Sequence, residues 1–256
     1  MPNYPPPDHC SGEPRESVLP TGLTISRVHS SEFAATSFNP RLARSPFKGG
    51  RFDGTPDDPY PLLCAAEEDA AAVAEALLRD VPFDTQPRIL GRARIRNKCL
   101  SRIRSTRDLH LVRLVDGEDL AQVGQAIWLV TCESNQYQAT RVWAQAIRCW
   151  APWCEGLVWR SRREPRSLDY IFFEDRMGPE GSPFEEVVDP GGQLALGDNR
   201  LDQGLGQVYL EEIVQRYAIT LGPSLVGNSS LEAAGAPAGR GVRVRPDLCR
   251  SIALCA

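Results

Sequence analysis

The stretch KGGRFDGTPDDPYPLLCAAEEDAAAVAEALLRD, residues 48–80, decides how the rest of the chain is interpreted. It begins with a Gly-Gly-Arg turn and a loop rich in Gly, Pro and Asp, and the apolar run at 62–65 predicts a buried strand. Apolar residues then recur at helical spacing, which predicts a helix over 67–80 that lies on a core: Ala70, Val73, Ala74, Leu77 and Leu78. One short stretch therefore places an arginine and several glutamates on different elements that are close in sequence.

The composition is that of a water-soluble globular protein. Of the 256 residues, 42% are hydrophobic and 24% are charged, and the net charge of −4 argues against a protein built wholly around nucleic acid. No apolar run approaches the roughly 18 residues that a membrane span needs. The start, MPNYPPPDHC, has neither the basic head nor the apolar core of a signal peptide. We therefore expect a cytoplasmic protein that does not enter a membrane.

The eight cysteines do not form a metal-binding pattern. No C-x2-C pair is present, and the three histidines are scattered through the chain. In a reducing cytoplasm these cysteines are interpreted as free thiols, and no metal site or bound cofactor is predicted.

The order of predicted elements indicates the α+β class, with a single mixed α/β domain over 21–222. Strands are predicted at 23–28, 109–115, 156–159 and 170–173, helices at 119–123, 136–150 and 208–217, and a loop-rich segment over 178–206. Residues 1–20 are rich in proline and residues 223–256 are rich in Gly and Ala. Both are predicted to be disordered tails, because such compositions bury little apolar surface.

A basic region runs from residue 88 to residue 113. Basic residues at 92, 94, 96 and 98 alternate with other side chains, which predicts a half-exposed strand. Two interpretations stay open for this region. One is a nucleic-acid surface, and the other is a strand face whose charges pair with acidic neighbours.

Three side chains stand out as candidates for chemistry. Arg51 follows two glycines, so a ligand can approach the backbone there, and its planar fork suits a diphosphate or carboxylate. Glu75 lies far from the apolar stripe of its helix, and Ser161 ends a buried strand among arginines. Each also has an ordinary interpretation: a surface arginine beside a turn, a solvated glutamate paired with Arg79, and a serine in a basic loop.

The order of these motifs resembles that of the RES family, which is named for its Arg, Glu and Ser. The resemblance spans about 21–175 and is carried by GGRFD at 49–53, AAEEDAAAVAE at 65–75 and GLVWRSR at 156–162. It implies a fold like that of ADP-ribosyltransferases. It also implies that Arg51, Glu75 and Ser161 are the three named residues, with Arg27 as a further pocket residue.

The resemblance also implies an activity. RES proteins are toxins that degrade NAD+, in some cases by phosphorolysis, and an Xre-type antitoxin with a helix-turn-helix holds them inactive. We therefore expect NAD+ as substrate, inorganic phosphate as co-substrate, and nucleic acid only through the antitoxin. Transfer of ADP-ribose to a macromolecule, or a weakly active RES-like binding module, remain the alternatives.

The resemblance further assigns roles inside the expected site. Glu75 would stabilise charge on the ribose, Arg51 would hold the diphosphate, and Ser161 would hold the ribose or the phosphate, with Arg160 or Arg162 adding positive charge for that phosphate. The family's tyrosine before the glutamate helix is replaced here by Cys64, and Tyr60 is the possible substitute. This arrangement requires the Glu75 face of the helix to line a cleft that the strand ending at Ser161 closes.

Overall fold

The computed structural model describes residues 5–43, 49–84, 86–187 and 199–223. By its internal contacts the chain divides into one unit over Met1–Pro223 and another over Ser224–Ala256. The second unit, with the tail predicted there, lies outside the described residues. Among the described residues, no helix has the length and apolar character that crossing a bilayer requires.

The first unit has the mixed α/β fold that the sequence predicts. An eight-stranded sheet has the order β1-β6-β7-β8-β3-β2-β5-β9, and only β6 and β7 are parallel neighbours. A separate parallel pair joins β4 and β10. The strands are β1 (Glu16–Leu19), β2 (Thr24–Ser30), β3 (Leu62–Ala66), β4 (Ile89–Leu90), β5 (Lys98–Ser105), β6 (Leu109–Leu114), β7 (Gly156–Arg160), β8 (Leu168–Phe173), β9 (Phe184–Glu186) and β10 (Thr220–Leu221).

Helices lie against this sheet and contribute to two of its three apolar clusters, while the third is formed by strand and loop residues. They are α1 (Asp69–Val73), which continues as a π-helical turn (Ala74–Leu78), α2 (Gly117–Gln122), α3 (Trp128–Thr131), α4 (Tyr137–Trp150) and α5 (Gly204–Arg216). The longest, α4, buries Trp143, Ala144 and Ile147 in a cluster with β6, β7 and β8. Helix α5 packs Leu210, Ile213 and Val214 with the α1 side chains.

The N-terminal segment is more ordered than the sequence predicts. Instead of a disordered tail up to residue 20, Glu16–Leu19 forms β1, antiparallel to β6, and Leu19 is buried. Pro14 and Pro20 bracket this strand, so its own residues keep the backbone N–H groups that pairing needs. Local composition missed it because the partner strand lies about ninety residues further along the chain.

The basic region also differs from the prediction. Arg92–Arg94 is a 3-10 turn, and the strand begins only at Lys98, because Asn97 takes a left-handed conformation with φ 55°. Several of its arginines are paired with acidic side chains: Arg94 with Asp80, Arg102 with Asp69, and Arg104 with Glu185. The paired-charge interpretation therefore describes this face better than a nucleic-acid surface does.

Candidate active site

Glu75 lies in the π-helical turn that follows α1. Its Oε1 accepts hydrogen bonds from the Ser161 hydroxyl at 3.1 Å and from the backbone N–H groups of Arg162 at 3.0 Å and Arg163 at 3.4 Å. A π turn accommodates one extra residue and is frequent at functional sites. The Glu75 side chain, which lies away from the apolar stripe of the helix, faces the turn that follows β7, as the predicted cleft requires.

Ser161 follows directly after β7 and is almost fully buried. Its backbone N–H donates to the carbonyl of Ser167 at 3.0 Å, which closes the turn between β7 and β8. Its hydroxyl donates to Glu75 and accepts from the backbone N–H of Glu164 at 3.3 Å. The serine was predicted to hold the ribose or the phosphate, but its hydroxyl is committed to Glu75 and does not line the cavity described next.

A cavity of about 170 Å³ opens beside Glu75. Three arginines line it, Arg27 from β2, Arg51 from the glycine turn and Arg79 from the end of the π turn, and the acidic residues in its wall are Glu75, Asp53 and Asp169. The aromatic residues Phe52, Tyr137 and Trp159 also line the cavity, whereas the ring of Tyr170, another lining residue, stacks on Phe172 in a core cluster. Guanidinium groups around a carboxylate, with apolar rings between them, suit a ligand that carries both negative charge and a flat ring.

The turn that carries Arg51 depends on its two glycines. Gly49 has φ 100°, and a Cβ at Gly49 or at Gly50 would come within 2.5 Å of an Asp53 carboxylate oxygen. That carboxylate accepts the Gly50 N–H at 2.7 Å. From α4, the Thr140 hydroxyl donates to the Arg51 carbonyl at 2.6 Å. The GGR motif is thus a rigid turn that fixes the Arg51 backbone.

The Arg51 guanidinium is itself held from one side. Nη1 donates to the Cys132 carbonyl at 3.2 Å, and Nη2 donates to the Tyr137 hydroxyl at 3.4 Å. Arg51 and Arg79 both lie over the Tyr137 ring, with Cζ at 4.8 Å and 5.3 Å from its centroid. Cation–π contacts of this kind hold two like charges close together at the cavity wall.

Arg27 is as deeply buried as Arg51, with 7% of the surface of each residue exposed. Nη1 donates to the carbonyls of Ala35 at 2.6 Å and Ser37 at 2.9 Å, while Nε has no hydrogen-bond partner. Burial lowers the pKa of its guanidinium to about 10, so it stays protonated at neutral pH. A buried cation with a free donor attracts an anion.

A second cavity, of about 190 Å³, adjoins the first, because Arg27, Val28 and Cys64 line both. Its wall adds the cationic residues Arg41 and Lys98, and no Asp or Glu is present among the described residues that line it. The second cavity is therefore positively charged, because Arg27, Arg41 and Lys98 all line it.

Two of the predicted binding residues do not face the main cavity. Tyr60 is buried in the core, with its hydroxyl bonded to the Phe52 carbonyl at 2.8 Å and its ring 5.0 Å from that of Phe173. The prediction that it substitutes for the family's tyrosine is therefore wrong. The Arg162 side chain points away from the cavity, and its Nη1 donates to Glu133 Oε2 at 2.9 Å. Arg162 contributes to the site through its backbone N–H, which donates to Glu75.

Cys64 does line the cavity, at the position predicted for it. The surface that it exposes faces the enclosed space rather than bulk solvent, so burial raises the pKa of its thiol to about 12. A neutral thiol occupies the place expected for a tyrosine ring. It can contact a ligand by van der Waals packing but offers little hydrogen bonding.

The sequence interpretation missed Asp169, Tyr137 and Arg79 as residues of this cavity. Tyr137 was covered only by the predicted helix over 136–150, and Arg79 was considered only as a surface partner of Glu75. Asp169 carried a usable signal, because it is an acidic residue in LDYIFF, an otherwise apolar strand next to the Ser161 turn. A carboxylate in a doubly covered strand is rare unless it serves a site.

The fold and the cavity define a mixed α/β protein with an arginine-lined cleft around a fixed carboxylate. A family model described as RES domain matches residues 24–193, so the chain belongs to the RES family. No curated protein matches the chain. Its structure is similar to a chain in the crystal structure of the M. tuberculosis MbcT–MbcA toxin–antitoxin complex, at 16% identity and a TM-score of 0.46, over 66% of this chain and 84% of that chain.

Proposed function

We propose that this protein cleaves the bond between nicotinamide and ribose in NAD+, with phosphate or water as the acceptor. The observation that carries the proposal is the Glu75 carboxylate, fixed by the Ser161 hydroxyl and two backbone N–H groups beside three arginines. Membership of the RES family supports the same activity.

Bond cleavage leaves positive charge on the ribose C1 as the C–N bond breaks and neutral nicotinamide departs. A carboxylate oriented before the reaction stabilises that charge without reorganising, which is usually the largest catalytic contribution. Glu75 takes this role, since its donors fix the carboxylate and its chain faces the cavity. The acceptor oxygen then forms the new bond to C1 and loses its proton to solvent or to a phosphate oxygen.

The arginines bind and orient the anionic part of the substrate. Arg51 is held by Cys132 and Tyr137 while its backbone is fixed by Thr140, so it reaches the ligand already ordered. Arg27 can donate from its unpaired Nε. We assign the diphosphate, or the acceptor phosphate, to the boundary between the two cavities, where Arg27 lies and Arg41 and Lys98 add positive charge.

The biological role proposed here is that of a cytoplasmic toxin whose partner is an Xre-type antitoxin. This part of the proposal follows from the RES family membership. Nucleic acid enters only through the helix-turn-helix of the antitoxin, which agrees with the acid-paired arginines of the basic region. A purified antitoxin that suppresses nicotinamide release at equimolar ratio supports this role, and one that binds without suppressing it contradicts the role.

The test of the activity is nicotinamide release from NAD+ by the pure protein, with and without phosphate. We expect Glu75→Gln to release nicotinamide about 10²–10³ times more slowly than wild type, which is typical for loss of a preorganised electrostatic group. Glu68→Gln is the matched control, because Glu68 is an exposed glutamate seven positions earlier. Equal, slow release by wild type and Glu75→Gln refutes the proposal.

The acceptor is identified in the same reaction. ADP-ribose phosphorylated at C1 reports phosphorolysis, and free ADP-ribose reports hydrolysis. Label from adenine-labelled NAD+ that stays on a protein or nucleic acid reports ADP-ribosyl transfer instead.

A further inference from the structure

Arg79 lines the main cavity together with Arg27 and Arg51, but the proposed function gives it no role. It follows the π-helical turn directly, four residues after Glu75. Its side chain is 25% exposed, so the protein does not enclose the guanidinium group. Arg79 is therefore a cation that a ligand in the cavity can reach.

The charge of Arg79 is only partly balanced by the protein. Its Nε donates to Asp80 Oδ1 at 3.4 Å, and the same carboxylate pairs through Oδ2 with Arg94 at 3.1 Å. One acid therefore serves two guanidinium groups. Among the described residues, Nη1 and Nη2 of Arg79 have no hydrogen-bond partner. These two nitrogens carry four N–H donors, which remain available to an anion.

The ring of Tyr137 holds Arg79 and Arg51 near each other. Their Cζ atoms lie 5.3 Å and 4.8 Å from its centroid, and the Tyr137 hydroxyl accepts from Arg51 Nη2 at 3.4 Å. The ring is buried, so its position is fixed by the packing around it. Two guanidinium groups repel each other, and the negative face of an aromatic ring offsets part of that repulsion. An anion bound to both groups would offset the rest.

A diphosphate complements two guanidinium groups at a fixed spacing, because each phosphate can accept hydrogen bonds from one of them. We propose that Arg79 and Arg51 form a clamp for the diphosphate of the substrate, with Tyr137 as the residue that positions both. This inference rests on the proposed function, because it names the residues that contact the diphosphate of NAD+. It also decides the use of the second cavity, which is left for the acceptor phosphate.

The position of Arg79 relative to Glu75 fits this role. The two residues are four apart in sequence, so about one helical turn separates the carboxylate from the guanidinium group. In NAD+ a single ribose separates the C1 that Glu75 stabilises from the phosphate on the same sugar. Glu75 and Arg79 can therefore act on the two ends of one ribose phosphate.

The test measures binding of ADP and of AMP by calorimetry, which needs no turnover. The second phosphate of ADP is the one that carries the nicotinamide ribose in NAD+. Wild type should bind ADP at least about tenfold more tightly than AMP, because the second phosphate gains charged hydrogen bonds. In Arg79→Gln this preference should disappear through loss of ADP affinity. The matched control is Arg104→Gln, which removes the same charge from β5, where Arg104 pairs with Glu185.

Two substitutions of Tyr137 separate positioning from a purely structural role. Tyr137→Phe keeps the ring and loses only the hydroxyl, so its ADP affinity should stay within about threefold of wild type. Tyr137→Leu loses two cation–π contacts, so its ADP affinity should decrease about tenfold relative to its AMP affinity. A loss of affinity that is equal for both nucleotides would indicate a structural defect and contradict the positioning role.

Several outcomes overturn the clamp: equal binding of ADP and AMP by wild type, an unchanged preference in Arg79→Gln, or the same loss in Arg104→Gln. Nicotinamide release from NAD+ is measured on the same proteins. If wild type and Arg79→Gln release nicotinamide with the same KM, the clamp is wrong and the proposed function stands. If the preference for ADP depends on Arg79 but wild type releases no nicotinamide, the proposed function fails alone.

Discussion

Replacing Ser161 with alanine tests the arrangement around Glu75. The change removes one hydroxyl that donates to Glu75 Oε1 at 3.1 Å, while the N–H groups of Arg162 and Arg163 remain. A hydrogen bond to a charged group contributes about 1.5–3 kcal/mol. Because two donors remain, we expect the loss of transition-state stabilisation to be near the lower limit of about 1.5 kcal/mol. This loss corresponds to roughly a tenfold decrease in kcat.

The assay is steady-state release of nicotinamide over a range of NAD+ concentrations. KM should change little, because the Ser161 hydroxyl does not line the cavity. The control is Ser167→Ala, whose hydroxyl is also buried but has no hydrogen-bond partner, so kcat should stay at the wild-type value. A raised KM with unchanged kcat in Ser161→Ala would show that the serine contacts the substrate and that the positioning role is wrong.

Three further predictions concern stability and reactivity. The raised pKa of Asp169 means that the folded state binds the proton of this carboxyl more tightly than the unfolded state does. Protonation of Asp169 therefore stabilises the folded state fully below about pH 4, and this stabilisation is lost as pH rises. Asp169→Asn should therefore unfold at higher urea than wild type at pH 7.5 and at equal urea near pH 4; a constant difference would contradict this. In Gly156→Ala the new Cβ would lie 2.1 Å from the Ile171 carbonyl oxygen, so chemical denaturation should show a loss of roughly 1–3 kcal/mol, and an unchanged midpoint would argue against the β7–β8 register. Iodoacetamide at pH 8 should alkylate the exposed Cys149 and spare Cys64, whose pKa is raised to about 12, and equal labelling by mass spectrometry would refute the enclosed position of Cys64.

Strong local patterns allowed much of the fold to be predicted from the sequence. The apolar runs that became β3, β7 and β8 and the helical stripe of α4 are where the periodicity places them. The failure at 92–98 has a local cause, since alternation predicts a strand only while every residue stays extended, and Asn97 does not. Strand β1 was missed because an edge strand depends on its partner more than on its own residues.

The site residues that lie in recognisable sequence motifs could be predicted. Glu75, Ser161 and Arg51 were named from their local motifs and from the resemblance to the RES family, and the structure brings Glu75 and Ser161 into contact and Arg51 into the same cavity as Glu75. Tyr60 and the Arg162 side chain were assigned by proximity in sequence, which does not say to which side a chain turns. The acidic residue in an apolar strand was a signal for Asp169, but only the assembled fold places Asp169 beside Glu75.

The residues outside the family match are as important to the architecture as those within it. The RES model covers 24–193, yet β1 at Glu16–Leu19 completes the outer edge of the sheet, and α5 at Gly204–Arg216 buries the far side of α1. A shortened protein cut at the match boundaries would have β6 with an open row of backbone donors and acceptors, which invites association between copies. The shortened protein would also lack α5, whose apolar side chains pack against the helix that carries Glu75. The portable unit for expression or for transplanting the activity therefore extends from before residue 16 to at least residue 221.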